Sequence, residues 1–293
     1  MKQIRFIINP ISGAGKNKLL IPLIEKNIDK NIFESEICFT EKAHHATELA
    51  KDAVEKKYDL VVAVGGDGSV NEIGKALVNT NTALGIIPRG SGNGMARHLG
   101  LPINSKKAIQ LLNSGVEDKI DTLRVNEHFC VGTIGVSFDA RIAHLFSKAP
   151  KRGYSTYIKL VLTEFAPFPA KRFSILVDGK NYEEDCFLLT FSNSSQFGNN
   201  FVIAPQADVK DGFLDISTMK KFPSWKAPAM IYRMMTNSLK DSKYYHGFQG
   251  KKVLLKNTGT LEGHIDGEPV LFNGDLNINI VPLSLKVLVP SFK

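Results

Sequence analysis

Cysteine is scarce in this 293-residue chain: the three cysteines, Cys38, Cys130 and Cys186, lie far apart and form no Cys-x-x-Cys motif. This spacing excludes a disulfide framework and a structural zinc site, and it is typical of a reducing cytoplasm. Long apolar runs are also missing, since no stretch approaches the roughly 18–20 residues needed to cross a bilayer. Met1–Gly15 has only a short apolar stretch, so no secretory signal is expected. We therefore predict a cytoplasmic protein.

The overall composition excludes a disordered or fibrous chain, because 43% of the residues are hydrophobic and 23% are charged. A chain of 293 residues is longer than one compact core usually needs, so one large or two moderate domains are expected. The net charge of +8 favours anionic ligands such as nucleotides, phospholipid headgroups or nucleic acid. Aromatic and basic residues do not alternate in a pattern typical of nucleic-acid recognition, and we therefore expect no nucleic-acid partner.

The first third of the chain alternates between strand and helix patterns. Leu60–Val64 and Leu84–Ile87 are continuously apolar, as in parallel strands that are buried on both faces. Apolar residues recur at helical spacing over Ala46–Val54. Shorter strands are predicted at Arg5–Ile8 and Ile37–Phe39, a helix at Val70–Val78, and the N-cap of another helix at Ser105. This order predicts a doubly wound α/β domain that binds ligands at the carboxyl ends of its strands.

After about Thr122 the pattern changes to period-2 stretches joined by turns. Arg124–Phe129 and Val177–Asn181 have the residue types of hairpin turns. Further strands are predicted at Phe187–Phe191, Phe213–Ser217, Lys252–Leu255 and Leu276–Ile280, and helices near Ser155–Phe165 and Ser224–Ser238. We therefore predict an antiparallel β domain of sandwich or barrel type over residues 123–281. The α/β domain is predicted over residues 1–122, with 282–293 as a candidate completing segment, and the two domains are expected to share a cleft.

The densest signal is the octapeptide Gly65-Gly66-Asp67-Gly68-Ser69-Val70-Asn71-Glu72, which follows a buried strand and precedes a helix. Glycines allow positive φ angles and let backbone N–H groups approach a phosphate, while the helix adds the positive end of its dipole. A carboxylate repels phosphate, so Asp67 is expected to face a metal ion or to accept a proton from an acceptor hydroxyl. The alternative is a tight turn with an Asx hydrogen bond.

A second glycine-rich loop, Pro88–Gly94, also follows a buried strand. Taken alone it would be an ordinary connector, but loops after neighbouring strands of one sheet converge, so the two loops are predicted to hold one ligand. An earlier loop, Ser12–Lys16, resembles a P-loop only in part, because Asn17 stands where a Ser or Thr would bind Mg²⁺ and the preceding spacing is wrong. A Walker A motif is therefore excluded.

Two acidic segments of the β domain are further candidates. Asp266 and Glu268 flank Gly267, so a turn could present both carboxylates together; the alternative is an ordinary Asp-Gly hairpin turn. Asp208 and Asp211 could bind a hard cation through carboxylate and carbonyl oxygens, and the alternative there is a surface turn.

Five motifs follow one another along the chain: Asn9-Pro10 with Ser12-Gly13, Gly65–Glu72, Pro88–Asn93 with Ala96-Arg97 and Leu99-Gly100, Asp211-Gly212 with Leu214, and Asp266-Gly267-Glu268. In this order they resemble the diacylglycerol kinase catalytic-domain family, in particular its soluble bacterial lipid kinases. That family is related to sphingosine and ceramide kinases and more distantly to NAD kinases. The resemblance spans essentially the whole chain. It implies an NAD-kinase-like α/β domain, an antiparallel β-sandwich-like lipid-substrate domain, and an interdomain cleft.

The resemblance also implies an enzyme that uses ATP and Mg²⁺ to phosphorylate a lipid hydroxyl. Diacylglycerol is the first candidate for this lipid. Glu268 takes the position of the family's general base, with Asp266 beside it and Asp67 as the essential loop acid. A structural Mg²⁺ would be bound by Asp208, Asp211 and the carbonyl of Phe213. ATP would lie between the domains, contacting Asn9, Pro10, Ile11, Ser12, Gly13, Thr40, Gly65, Gly66, Asp67, Gly68, Ser69, Val70, Asn71, Glu72, Ser91 and Asn93.

Departures from the family pattern leave the acceptor lipid open. Ser69 and Ser91 replace the commoner threonines and keep a hydroxyl, and Gly94 stands where many bacterial diacylglycerol kinases have Asp. A kinase of sphingoid bases or other lipids and an NAD kinase are the enzymatic alternatives, and a non-catalytic lipid or nucleotide carrier is the binding alternative. The Pro-x-Gly-Ser-x-Asn stretch disfavours an NAD kinase. The intact acids disfavour a carrier, which needs no base.

Two basic segments suggest a membrane partner. Residues 219–240 contain five Lys or Arg and no acid, together with Phe222, Trp225, Met230 and Tyr232. Residues 148–172 carry six Lys or Arg against one acid, Glu164. Basic residues beside aromatic ones suit an anionic leaflet, so peripheral contact with the inner face of a membrane is predicted. The alternative is two helices that pack on the β domain. The oligomeric state is open, with a homodimer among the alternatives.

Overall fold

Parallel strands form the N-terminal sheet in the computed structural model, which describes residues 1–12, 20–150 and 153–291. The strands β1 (Lys2–Ile8), β2 (Phe33–Phe39), β3 (Leu60–Gly65) and β4 (Ala83–Pro88) lie side by side in the order β2-β1-β3-β4. β3 and β4 are buried along their whole length, which explains their unbroken apolar sequences. The end of the long last strand, β16 (Leu276–Val289), runs parallel to β4, with Val287 opposite Leu84.

Helices cover both faces of this sheet. α1 (Ile21–Asn27) and α5 (Ser105–Ser114) lie on one face, where Ile24 and Ile109 join the even-numbered side chains of β1 and β3 in one apolar cluster. α2 (His45–Glu55) and α3 (Asp67–Leu77) pack on the other face, and α4 (Gly94–His98) is a short helix after β4. The predicted doubly wound α/β architecture is therefore confirmed.

A buried cation fixes one face of the sheet. Arg5 is 2% exposed, and its guanidinium donates to the carboxylates of Glu36 and Asp52, at 2.6 Å each, and to the carbonyl of Leu49 at 2.8 Å. A buried charge that loses a partner is costly, because no water replaces the lost contact. Arg5 therefore ties β1 to β2 and to α2.

Residues 122–281 form a second unit, whereas residues 1–121 and 282–293 form the first. One sheet of the second unit has the order β12 (Tyr245–Gly250), β11 (Leu214–Met219), β10 (Leu188–Ser192), β7 (Thr133–Gly135), β14 (Thr260–Ile265), β15 (Glu268–Asn273). The other contains the end of β5 (Val116–Val125), β6 (His128–Cys130), β8 (Lys171–Val177), β9 (Lys180–Cys186), β13 (Lys252–Leu255) and the start of β16. Their inner faces share one apolar cluster that includes Ile175, Leu189 and Ile216. This arrangement is the predicted antiparallel, sandwich-like β domain.

Three helices pack against the β10–β11 region of this unit: α6 (Phe138–Ser147), α7 (Tyr154–Phe165) and α8 (Ala227–Met235). Phe138, Phe165 and Met230 meet Leu188 and Met219 in a second apolar cluster. All three cysteines are free thiols. In the parts of the chain that the structure describes, no helix combines the length and the apolar composition needed to span a membrane.

Local predictions held best where turn chemistry is strong. The hairpins at Asn126 and at Asp178-Gly179 are present, with positive φ at all three residues. The N-cap of α5 is Asn104 rather than the predicted Ser105, because the Asn104 side chain accepts the Lys107 N–H at 3.2 Å. β2 begins at Phe33 rather than at Ile37, and it is an edge strand whose first half exposes polar residues.

Candidate active site

The residues predicted to bind ATP gather at the carboxyl ends of four neighbouring parallel strands. The N–H of Thr40 donates to the carbonyl of Ile8 at 3.0 Å, and the N–H of Asn9 donates to that of Val64 at 3.2 Å, so the strand ends are directly connected. Gly13 lies outside the described residues. The segments at this edge are Asn9–Ser12 after β1, Thr40 after β2, Gly66–Glu72 after β3 and Arg89–Asn93 after β4.

Most of the predicted glycine loop is the first turn of α3, because this helix begins at Asp67. Gly66 is the N-cap residue with φ −96°, and positive φ occurs at neither Gly65 nor Gly68. The expectation of positive φ angles at these glycines is therefore wrong. Space is the reason for glycine here: a Cβ on Gly65 would overlap the hydroxyl of Ser69.

The start of α3 supplies backbone donors. N–H groups in the first turn of a helix have no carbonyl partner within the helix, and they carry the positive end of its dipole. Asp67 lies in this turn, where a negative side chain is stabilised, rather than in a loop. Val70 offers little to a nucleotide, since its side chain is buried and its N–H donates to the carbonyl of Gly66 at 3.1 Å.

The two glycine-rich segments touch each other. A Cβ on Gly90 would lie 2.5 Å from the Cα of Gly66, and the N–H of Arg89 donates to the carbonyl of Gly65 at 2.7 Å. Two stretches of backbone without side chains thus meet at the ends of β3 and β4. The structure shows the convergence that the sequence predicts, and a shared ligand stays a prediction.

Asn93 braces the second loop. It is buried at φ +53°, and its side-chain amide accepts the N–H of Gly90 at 2.8 Å and donates to the carbonyl of Gly90 at 2.9 Å. Ser91, in contrast, is exposed. Of the two predicted ATP contacts in this loop, Ser91 is therefore accessible to a ligand, whereas Asn93 fixes the shape of the loop.

Asp266 anchors a hairpin turn. Asp266 and Gly267 connect β14 to β15 with φ of 50° and 83°, so the alternative of an Asp-Gly turn is correct. The carboxylate of Asp266 accepts three backbone N–H groups, from Val131 at 2.9 Å, Gly132 at 2.7 Å and Thr133 at 2.9 Å. These contacts hold the turn in place and occupy both oxygens.

Glu268 differs from Asp266 in its exposure and in its hydrogen bonds. It is the first residue of β15 and is exposed. Among the described residues, its carboxylate has no hydrogen bond or ion pair. The turn thus presents one carboxylate to solvent and uses the other internally, so the two acids do not form a shared pair.

Asp208, Asp211 and Asp215 form what we term the acidic cluster. Asp208 accepts the Lys210 N–H at 3.0 Å, and Asp211 accepts the Phe213 N–H at 2.9 Å. Asp215, in β11, is buried, and sequence reasoning missed it; the available signal was an acid between two apolar residues, Leu214 and Ile216, of a predicted strand. Across residues 1–12, 20–150 and 153–291, no three His, Cys, Asp or Glu side chains converge as a metal site, so a cation here would also need carbonyl or water ligands.

Burial raises the pKa of Asp215 from 3.8 to about 6; the negative charges of Asp211 and Asp208 add to the rise, and a hydrogen bond from Gln249 opposes it. Folding therefore favours the protonated form of Asp215. The stability that the protonated carboxyl gives the folded protein is fully present below the unfolded pKa of 3.8, and it is lost as the pH rises through about 6.

Asp215→Asn is accordingly expected to be more stable than the wild type at pH 7.5 without divalent cations, by up to about 3 kcal/mol. The gain should fall to about 1 kcal/mol at pH 4.5, where the native carboxyl is mostly protonated. Urea denaturation in EDTA at the two pH values measures the difference. An equal effect at both pH values would contradict this explanation.

Sequence reasoning also missed a buried pair, Asp139 and His264. Oδ2 of Asp139 lies 3.3 Å from Nε2 of His264, and Thr190 donates its hydroxyl to the same oxygen at 2.8 Å. The sequence around His264 gives no local signal for this pair, because Asp139 and His264 are 125 positions apart.

Comparison with known proteins places the two parts of the chain in one family. Residues 3–125 match the family model of the diacylglycerol kinase catalytic domain, and residues 132–289 match that of the YegS C-terminal NAD kinase beta sandwich-like domain. The diacylglycerol kinase of Mycobacterium tuberculosis is 30% identical over 304 residues, which cover 97% of this chain and 94% of that protein. The diacylglycerol kinase of Bacillus subtilis is 29% identical over 229 residues, which cover 75% of each.

The fold has a counterpart among solved structures. A crystal structure of a diacylglycerol kinase from Bacillus anthracis superimposes with a TM-score of 0.74 at 20% identity, covering 99% of this chain and 97% of that one. At this identity the likeness bears on the fold alone. The family itself follows from the sequence matches, which extend over both units and nearly the whole length of the mycobacterial enzyme. This chain therefore belongs to the diacylglycerol kinase family and is a lipid kinase.

Proposed function

We propose that this lipid kinase transfers the γ-phosphoryl group of ATP to the hydroxyl of diacylglycerol in a Mg²⁺-dependent reaction. The observation that carries the proposal is the contact between Gly66 and Gly90, which leaves two bare stretches of backbone beside the first turn of α3. Such a helix N-terminus is suited to phosphate, because its N–H groups point at the ligand and its dipole favours negative charge. Diacylglycerol is preferred as acceptor because curated relatives of this chain bear the name diacylglycerol kinase.

Phosphoryl transfer spreads charge over the nonbridging oxygens, so catalysis depends on donors and on in-line placement. We assign the phosphate donors to the backbone of Gly66–Ser69. Asn9–Ser12 would contact the phosphates mainly through side chains, because the N–H groups of Asn9 and Ile11 already donate to the carbonyl of Val64 and to Oδ1 of Asn9, and Pro10 has no N–H. Thr40 and Ser91 add hydroxyls from the neighbouring strand ends. Asp67 is assigned to orient the metal that accompanies ATP, or the base.

Glu268 is the proton acceptor in this proposal. A general base must reach the hydroxyl proton with an unoccupied oxygen, and Glu268 is exposed, whereas Asp266 already accepts three N–H groups. The turn holds the backbone of Glu268 in one place, since Ile265 pairs with Glu268 across the hairpin. Asp266 therefore contributes as the anchor of the turn.

The acidic cluster fits a structural Mg²⁺ in its donor chemistry. Magnesium prefers hard oxygen ligands, and the charges of Asp208 and Asp211 already act on the buried Asp215. Asp208, Asp211 and the carbonyl of Phe213 would hold the ion. Its positive charge would offset the repulsion among the three acids and stabilise the segment that leads into β11.

The test is incubation with labelled ATP and Mg²⁺ against diacylglycerol, monoacylglycerol, sphingoid bases, ceramide, undecaprenol and NAD. Label in phosphatidic acid is expected, and Asp67→Ala is expected to abolish it without unfolding the protein, which excludes a contaminating kinase. Label in another lipid would replace diacylglycerol as the acceptor. Label found only in NADP would overturn the proposal.

We further propose that one exposed surface of the second unit contacts an anionic membrane. Trp225 is 77% exposed and Tyr232 67% exposed, and Lys226 lies 4.9 Å from the centre of the Trp225 ring. Phe222 and Met230 belong instead to the second apolar cluster, so the helix-packing alternative applies to them. The docking surface is therefore limited to Trp225, Tyr232 and the Lys or Arg residues around them.

Trp225→Ala is expected to weaken binding to anionic vesicles at least about tenfold, because burial of one large side chain contributes about 1.5–3 kcal/mol and 1.4 kcal/mol is a factor of ten. Sedimentation with phosphatidylglycerol vesicles at low salt measures the binding. Leu271→Ala, which alters an exposed residue of β15, is the matched control and should bind as the wild type does. Failure of the wild type to bind would remove the docking surface. A homodimer stays a prediction that light scattering can check.

A further inference from the structure

A buried Asp–His pair lies behind the turn that carries Glu268, and the proposed chemistry does not use it. Asp139, the second residue of α6, is 8% exposed, and His264, in β14, is 3% exposed. Asp139 accepts from His264 at 3.3 Å, from the Thr190 hydroxyl at 2.8 Å and from the N–H of Ala140 at 2.9 Å. The carboxylate is thus fixed by donors from three separate parts of the unit.

The other ring nitrogen of His264 faces the turn. The N–H of Gly267 lies 3.4 Å from Nδ1 of His264. Because a backbone N–H can only donate, Nδ1 is the acceptor, and the ring proton is on Nε2, where it is donated to Asp139. The ring of Phe197 meets the imidazole edge to face with centroids 6.1 Å apart. The imidazole is therefore held in one orientation and one tautomer.

The neighbouring strand leaves room for the pair. A Cβ on Gly135, in β7, would overlap both the Asp139 carboxylate and Nε2 of His264. β7 pairs with β14 directly at this point, with Gly135 opposite His264. The absence of a side chain in β7 thus permits the polar contact in the middle of a buried sheet.

We propose that His264, oriented by Asp139, is a positioning residue for Glu268. Three sets of contacts hold the turn: the Asp266 carboxylate accepts the N–H groups of 131–133, the Asp266 N–H donates to the carbonyl of Thr133 at 2.8 Å, and the Gly267 N–H donates to Nδ1 of His264. Together they fix the backbone from which Glu268 extends. His264 itself is buried, so in this proposal it acts through the turn and not on the substrate. The inference rests on the proposed function, in which Glu268 accepts the hydroxyl proton.

Two substitutions separate the two contacts of the ring. His264→Gln keeps a polar atom near Nε2 for Asp139 and lacks the acceptor near Nδ1, whereas His264→Asn keeps the acceptor and lacks the donor to Asp139. We expect His264→Gln to lower kcat about 10- to 100-fold, with KM for ATP within about twofold of the wild type, because a misplacement of about 1 Å can cost 10²-fold. His264→Asn is expected to retain kcat within about fivefold while losing thermal stability. If His264 had a purely structural role, His264→Asn would instead lower kcat more than His264→Gln does.

His144→Gln is the matched control, since His144 contacts the carbonyls of Gly263 and Val270 in the same hairpin at 3.0 and 3.2 Å and does not reach the turn. It should keep the wild-type kcat. In a Glu268→Gln background, His264→Gln should leave the residual rate unchanged, because both act through one carboxylate. A wild-type kcat in folded His264→Gln, or its full effect in that background, would overturn the inference. A wild-type kcat in Glu268→Gln alone would instead overturn the base assignment of the proposed function.

Discussion

Glu268→Gln is expected to lower kcat about 10²–10⁴-fold, the usual contribution of a general base, while the free energy of unfolding changes by less than about 0.5 kcal/mol. The reason for the small change in stability is that Glu268 is exposed and has no hydrogen bond or ion pair within the described ranges. Steady-state kinetics with diacylglycerol vesicles and urea denaturation measure the two quantities. Unchanged turnover would exclude Glu268 as the proton acceptor.

Asp266→Asn is the matched amide substitution two positions away, and it is expected to act on stability first. Its new amide group would point a donor at one of the three N–H groups that the carboxylate now accepts. A buried donor left without an acceptor costs about 1–3 kcal/mol. If Asp266→Asn were as stable as the wild type and inactive, Asp266 rather than Glu268 would be the better candidate for the base.

Gly90→Ala is expected to lower kcat/KM for ATP at least about 100-fold, because the two glycine-rich segments would have to move apart. The added Cβ would lie 2.5 Å from the Cα of Gly66 and 2.9 Å from Oδ1 of Asn93, and backbone cannot move aside as the end of a side chain can. Overpacking of this kind also costs typically about 1–3 kcal/mol of stability. ATP-dependent kinetics and the nucleotide-induced shift in Tm measure the loss.

Gly259→Ala is the control for this substitution, because a Cβ on Gly259 would meet no described atom within 4 Å. It should leave both the kinetics and the nucleotide-induced shift in Tm unchanged. A Gly90→Ala protein with the wild-type KM for ATP would show that the contact between the segments is not where the phosphates bind.

The buried parallel strands could be predicted from the sequence because burial on both faces leaves an unbroken apolar run, as in β3. β2 was predicted only from Ile37 onward, because an edge strand exposes half of its residues and the apolar run is interrupted by Glu34, Ser35 and Glu36. Turns with Asn or Asp at positive φ, such as Asp178-Gly179, were predicted from local chemistry alone. Local patterns therefore predict which helices and strands are present, but they predict the boundaries of these elements less well.

The residues of the candidate site could be predicted from the sequence, but the separate roles of these residues could not. The motif Asp266-Gly267-Glu268 shows two acids at a turn, but the partners of Asp266 lie up to 135 positions away in the chain. The pairing of Asp139 with His264 is hidden in the same way, because the two residues are 125 positions apart. Side-chain direction depends on such contacts between remote segments, and no local pattern encodes them.

The last strand has a practical consequence for anyone who cuts the protein into pieces. β16 pairs with β13 through its first residues and with β4 through its last, so it belongs to both units. A gene fragment that stops after residue 121 would encode β4 with a bare edge, whose unpaired N–H and C=O groups invite aggregation. To express the first unit alone, one would therefore rearrange the gene so that residues 282–293 are joined to residues 1–121.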